Sequence, residues 1–358
     1  MFYREVGQFK STYAADMAIF PIRQDRIGIA VMLGLAVIAI PLVANDFVLA
    51  SIMIPGLVFT LAAIGLNILT GYAGQISLGT GAFMGVGAYA AFKMASAFPQ
   101  VNVIVWILAS GVFSAGVGVV FGLPSLRIKG LYLAVTTLAA QFFLDWCFVR
   151  VGWLTDYSSS GAIEAARRSL FGIAITGPEA TPLARYFVVL GLVVLLTFVA
   201  SNLVHGRIGR TWMMVRDMDI AAELMGVRLL PAKLLAFAVS SYFAGVAGAM
   251  MVFFWLGAAE PSAFGISLSF QVLFMVIIGG LGSMIGSYFG AAFIWALPVL
   301  IKFTPNLFGI EIQSATVEHA NSMIVGALII FFLIVEPHGL AKLWAVTKQK
   351  LRVWPFPW

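Results

Sequence analysis

The side chains able to do chemistry in this chain are few and mostly neutral. Asn67, Gln75, Ser77, Thr136, Thr137 and Gln141 lie within long apolar runs. Amides and hydroxyls in such places offer hydrogen bonds in both directions without charge. That suits passing a polar solute along a path better than breaking a bond in it. Asp145 is a carboxylate inside an apolar run; it is a gating candidate, or it snorkels to the interface or meets Arg150. The chain has no G-x-x-x-x-G-K-[ST] phosphate loop, so it supplies no ATP site. His205, His319 and His338 are isolated and Cys147 is the single cysteine, so no catalytic residue, metal site or disulfide is expected.

Something must position those polar groups. The stretch GLNILTGYAGQISLGTGAFMGVGAYAAF (Gly65–Phe92) has no charge but holds seven glycines. Each glycine costs a helix about 1 kcal/mol relative to alanine in water. In lipid, helices gain little by hiding apolar surface, and small residues that let backbones approach drive packing instead. Gly81, Gly85 and Ala88 share a helix face, and Gly282, Gly286 and Gly290 repeat the spacing later. The segment TGYAGQ (Thr70–Gln75) reads as a break in a helix, and IIGGLGS (Ile277–Ser283) as a second. Breaks free backbone groups that lipid cannot satisfy, so they belong at a water boundary or in an enclosed cavity. Transport proteins meet polar solutes with such broken helices.

The composition sets the class. Apolar residues make up 61% of the chain and charged ones 10%, against roughly 25% charged in soluble domains. No charge occurs from Phe47 to Phe92, from Met94 to Leu126, or from Pro261 to Ile301. This predicts an all-α, polytopic helical membrane protein with about ten spans, eight to ten being compatible with the pattern. The spans are expected at Ile27–Val43, Phe47–Leu69, Ile76–Ala97, Val101–Leu123, Leu131–Val151, Leu183–Leu203, Lys233–Leu256, Ser267–Gly279, Met284–Ile301 and Ser322–Val335. The resulting organisation is a polar N-terminal segment (1–26), a membrane domain (27–335) and a C-terminal tail (336–358). With the N-terminus inside, most basic residues fall in cytoplasmic segments, among them Arg23, Arg26, Arg127, Lys129, Arg207, Arg210, Arg228 and Lys342. The outer side then keeps Lys93, Arg150, Arg167, Arg168, Arg185 and Lys302, so both termini are expected to be cytoplasmic. The net charge of +6 follows from those loops and needs no nucleic acid. Residues 152–182 form an outer loop and 204–232 a cytoplasmic one. The tail RVWPFPW sets aromatics beside basic residues, as an interfacial lipid anchor does.

The cytoplasmic loop carries a second signal. Thr211–Met225 reads as one amphipathic helix, with Gly226 at the position of a C-terminal cap and Pro231 barring continuation. Met213, Ile220 and Leu224 share a face, while Arg216, Asp217, Asp219 and Glu223 are polar. It is either a connector or a knob for a groove in a cytoplasmic partner.

Several motifs in order resemble the permease subunits of bacterial branched-chain amino-acid ABC importers, particularly the longer of the two. They are GLNILTGYAGQISLGTGAFMGVGAY, LRIKGLYLAVTTLA, IAAELMGVRLLPAKLLAFAVSSYFAGVAGAM and VIIGGLGSMIGSYFGAA, within Gly56–Gly339. The resemblance implies an inner-membrane importer subunit paired with a second, different permease. Two ATPase subunits would carry ATP and Mg, and a periplasmic binding protein would deliver the solute. ABC permeases share a coupling loop in which Glu-Ala-Ala is followed after three residues by Gly. Ala221, Ala222 and Gly226 fit that pattern, Ile220 replaces the acid and Glu223 follows; the resemblance implies a coupling role for Arg216, Ile220, Ala221, Ala222, Glu223 and Gly226. After the fifth span the family often has a Gly-Gly…Gly sequence; TDYSSSGAI (Thr155–Ile163) stands there instead. The solute class therefore stays open among branched-chain amino acids, urea, amides and aromatic acids. A stand-alone secondary transporter or channel is the alternative, and it would need a coupling carboxylate deep in the bundle.

Overall fold

The computed structural model describes residues 11–12, 23–125, 132–158, 162–164, 168–170, 173–177, 180–307, 314–335 and 339–353. The N-terminal segment, residues 126–131 of the LRIKGLYLAVTTLA motif and the final aromatics of the tail lie largely or wholly outside them. In chain order the helices begin with α1 (Arg26–Val43), α2 (Asp46–Tyr72), α3 (Thr80–Ala97), α4 (Val103–Ser125), α5 (Leu133–Arg150) and α6 (Pro182–His205). Two short helices follow, α7 (Arg207–Asp217) and α8 (Asp219–Leu224). The chain then forms α9 (Leu229–Leu256), α10 (Pro261–Gly279), α11 (Met284–Leu307), α12 (Ser314–Val335) and α13 (Gly339–Val353).

Eight of these helices are long and apolar enough to cross a bilayer: α1, α2, α4, α5, α6, α9, α10 and α11. The chain is a multi-pass helical membrane protein. The other two expected spans also appear as helices. α3 is long enough, but its glycines, Ser96 and Lys93 lower its hydropathy. It tolerates this because most of its side chains are buried against neighbouring helices. In α12 the apolar stretch among the described residues is Met323–Phe332. One expectation needs correcting: the third span starts at Thr80, not at residue 76, so Gln75 and Ser77 lie in the loop before it.

α9 is the most enclosed span, with 78% of its apolar window buried, and it packs on α2, α3 and α4. Small residues make that possible. A Cβ on Gly87 would lie 2.1 Å from the Gly245 carbonyl oxygen, and one on Gly248 would lie 1.9 Å from that of Met84. A Cβ on Gly81 would lie 2.9 Å from the Phe264 carbonyl oxygen, and one on Gly85 2.6 Å from the Phe148 ring. Gly286 and Gly290 bring α11 onto α10, where a Cβ on Gly290 would meet the Met275 carbonyl oxygen at 1.8 Å. Gly282 departs from the expected helix face: it precedes α11 and has φ +76°. Gly290→Leu is therefore expected to remove most folded, monodisperse protein, because backbone atoms cannot yield as a side chain can. Gly191→Leu is the control, since nothing among the described residues lies within 4 Å of a Cβ there. Size-exclusion profiles of the two variants check it, and equal recovery would contradict it.

At the opposite extreme none of the α1 window is buried, and Leu42 and Val43 are more than three-quarters exposed. The loop between α5 and α6 contributes to two small antiparallel pairs, Ile163–Glu164 with Ala258–Ala259 and Ser169–Leu170 with Ile173–Ala174. The Arg168 guanidinium donates to the carbonyl oxygens of Pro99 and Ala95, fastening that loop to the end of α3.

Candidate functional site

The two breaks meet each other. The last turn of α2, Ile68–Tyr72, is a wide π-type turn, and the chain runs irregularly to Thr80. The second break, between α10 and α11, holds Gly280 and Gly282 at positive φ. Asn67 clasps the two. Its Nδ2 donates to the Ser283 carbonyl oxygen at 2.8 Å and to Ser287 Oγ at 2.9 Å, and its Oδ1 accepts from Gly282 N–H at 2.8 Å. One buried amide of the first break thus bonds the Gly282 N–H and the Ser283 carbonyl oxygen of the second and the Ser287 hydroxyl in the first turn of α11. Gly71 has to be glycine here, because a Cβ would sit 2.2 Å from Gly282 N and 2.1 Å from Asn67 Oδ1.

A second polar cluster closes the open end of α3. A helix N-terminus leaves N–H groups without intrahelical partners, and inside a membrane protein they need acceptors. Leu78 N–H donates to Thr137 Oγ1 at 2.9 Å, Gly81 N–H to Ser269 Oγ at 2.8 Å and Ala82 N–H to Gln141 Oε1 at 2.8 Å. Gln141 Nε2 also donates to the Phe264 carbonyl oxygen and to Asp145 Oδ1, at 2.8 Å and 3.0 Å. Ser77 Oγ accepts weakly from Gly79 N–H, and Thr136 donates to the Leu133 carbonyl oxygen. Thr137, Gln141 and Asn67 are fully buried and spend their hydrogen bonds on the protein. Their work in the structure includes holding the helix ends and breaks together.

Gln75 differs. Only 5% of it is exposed, and neither amide atom has a hydrogen-bond partner among the described residues. The hydroxyl of Thr70, 9% exposed, likewise has no partner among the described residues. An unpaired buried amide or hydroxyl costs on the order of 1–3 kcal/mol. Both groups belong to the first break. The sequence singled out Gln75; Thr70, Ser269, Ser283 and Ser287 were missed, although each is a polar residue near glycines in an apolar run.

The loop between α6 and α9 reaches this junction. It holds two helices rather than the expected one, because Met218 is extended (φ −155°, ψ 99°) and separates α7 from α8. α7 is seated by Trp212, whose indole donates to the Ala232 carbonyl oxygen at 2.9 Å. α8 is held by an Asp219–Lys233 ion pair of 2.6 Å. Its end is a Schellman turn: Gly226, at φ +87°, donates to the Glu223 carbonyl oxygen, and Val227 N–H donates to that of Ala222. Ala222 is 1% exposed and faces inward, so the apolar tip consists instead of Met218, Ile220, Leu224 and Met225, each 67–85% exposed. Arg216 leaves this loop for the break, where its Nη1 donates to the Gly71 carbonyl oxygen at 2.8 Å.

Two glycine-rich breaks held together in a multi-pass helical bundle, with a capped helical loop against them, fit a transport permease. Residues 48–333 match the family described as branched-chain amino acid transport system / permease component, and the chain belongs to that family. It is 27% identical over 316 residues to the high-affinity branched-chain amino acid transport system permease protein LivM of Salmonella typhimurium, covering 83% of this chain and 70% of that one. Identity to LivM of Escherichia coli is 26% over the same extent. Among solved structures, PsaBC from Streptococcus pneumoniae in complex with Fab overlaps 84% of this chain and 96% of its own, with a TM-score of 0.44 and 14% identity.

Proposed function

We propose that this chain is one of two permease subunits of an inner-membrane ABC importer, both termini cytoplasmic, taking up branched-chain amino acids or a related small polar solute. A periplasmic binding protein delivers the solute, and separate ATPase subunits bind ATP and Mg. The observation that carries this reading is the exposed apolar tip of the α7–α8 loop, rigidly capped and set under the junction of the breaks. Such a tip fits the helix-in-groove mode of recognition. Purification from native membranes in mild detergent should bring down a protein with a phosphate loop, and leucine uptake in vesicles should require ATP. A stand-alone transporter would instead move leucine in liposomes containing this chain alone, driven by an ion gradient; that result would overturn the proposal.

Gln75 and Thr70 are the groups we assign to the solute path, because they alone of the buried polar groups at the first break lack a protein partner among the described residues. Gln75→Leu relieves an unpaired amide and should raise thermal stability by about 1 kcal/mol. It should also weaken the solute's passage, with the KM for uptake rising several-fold at normal protein level. Unchanged KM in a stabilised variant would remove Gln75 from the path.

A further inference from the structure

We propose that Arg216 is an intrachain strut between the cytoplasmic loop and the junction of the two interrupted helices, so that displacement of α7 is delivered directly to Gly71 and Gly282. In the first break Ala73 N–H bonds the Ile68 carbonyl oxygen, and Gln75 N–H bonds that of Leu69. The Gly71 carbonyl oxygen takes the Arg216 guanidinium as its donor, at 2.8 Å. The side chain is aimed on both sides. Asp217 Oδ1 accepts from Arg216 Nε and lies equally close to Nη2, 2.9 Å in each case. Gly74, at φ +68°, makes room for its stem, since a Cβ there would be 2.8 Å from Arg216 Cγ. A Cβ on Gly282 would come 3.4 Å from Arg216 Nη1, so the same guanidinium also borders the second break.

The other end of the strut is firm. Trp212, one turn earlier on α7, is buried and bonded to Ala232 at the start of α9. Motion of the loop therefore has a short, hydrogen-bonded route into the membrane domain. A planar, forked guanidinium can hold Asp217 and Gly71 together, whereas a single ammonium on a flexible stem cannot fix both. This assigns Arg216 a positioning role inside the chain rather than a contact with an ATPase. The inference rests on the importer reading only for its uptake arm.

The test is hydrogen exchange by mass spectrometry on the full chain in lipid nanodiscs. Arg216→Gln should raise exchange about tenfold in peptides covering residues 68–75 and 280–287, as expected on losing a hydrogen bond to a charged donor. Peptides of α7 and α9 should stay unchanged, which a general loss of folding would not permit. Arg216→Lys should give an intermediate rise. Unchanged exchange at 68–75 overturns the strut. Should Arg216→Gln fail to fold, Asp217→Asn frees the guanidinium and is read the same way. In the assembled transporter, Arg216→Gln should keep ATP hydrolysis while losing leucine uptake at least tenfold; uptake at the unaltered level also overturns it. Intact uptake in variants of the loop tip would count against the docking reading, and the exchange result would still decide the strut.

Discussion

Leucine uptake should collapse when Ile220 and Leu224 are both replaced by Asp, while the protein accumulates normally. The two side chains are 75% and 85% exposed, so the substitutions disturb no packing within the chain. If the tip is buried in an ATPase groove, each aliphatic contributes about 2 kcal/mol on docking. Losing both, and adding two carboxylates to the interface, weakens attachment by roughly a thousandfold or more. Co-purification of the ATPase and its hydrolysis stimulated by loaded binding protein should be lost together. Glu223→Gln, on the same exposed helix, should leave all three intact, because rim charges contribute little. Wild-type uptake in the Ile220→Asp, Leu224→Asp variant would return the loop to the status of a connector. Ala222 is the wrong place to make this test: with 1% exposure, a charge there would disrupt the loop itself before any groove was reached.

Disrupting the clasp should be nearly as damaging, and for a different reason. Asn67→Ala removes three hydrogen bonds and takes the acceptor from the half-buried Gly282 N–H. Interhelical hydrogen bonds in membranes average about 0.6 kcal/mol, yet each buried group left unsatisfied costs on the order of 1–3 kcal/mol. The expected loss is therefore about 3 kcal/mol, read as a lowered midpoint of thermal unfolding in detergent. Gly71→Ala should cost a similar amount by forcing Gly282 away, since its Cβ lies 2.2 Å from that nitrogen. Both changes open the same junction, so the double variant should be clearly less destabilised than the sum. Additive losses would show that the two breaks are not held as one unit.

Much of this molecule is written locally. The apolar runs fixed where helices would cross, since spanning requires only length and the absence of charge. The breaks at Thr70–Gln75 and Ile277–Ser283 were legible because glycine clusters and polar groups interrupt the runs, and both occur as irregular segments. Gly226 was legible as a helix stop, because a left-handed cap is a property of one residue and its immediate neighbours. The family resemblance was legible for the same reason, as it rests on contiguous motifs.

Tertiary structure alone decided what the polar groups do. Asn67 meets Ser283 and Ser287 across more than two hundred residues, and Thr137 and Gln141 cap a helix that begins some sixty residues earlier. Sequence patterns report periodicity along one helix; a hydrogen-bond partner is set by which helices come side by side. That depends on the sum of glycine contacts such as Gly87 with Gly245 and Gly290 with Met275. The division of the α7–α8 loop at Met218 is of the same kind. Thr211–Met225 carries good helix formers throughout, but Trp212 bonded to Ala232 and Asp219 paired with Lys233 hold its two halves on different parts of the α9 entrance. Those anchors leave Arg216 at the turn between them, where its side chain reaches Gly71.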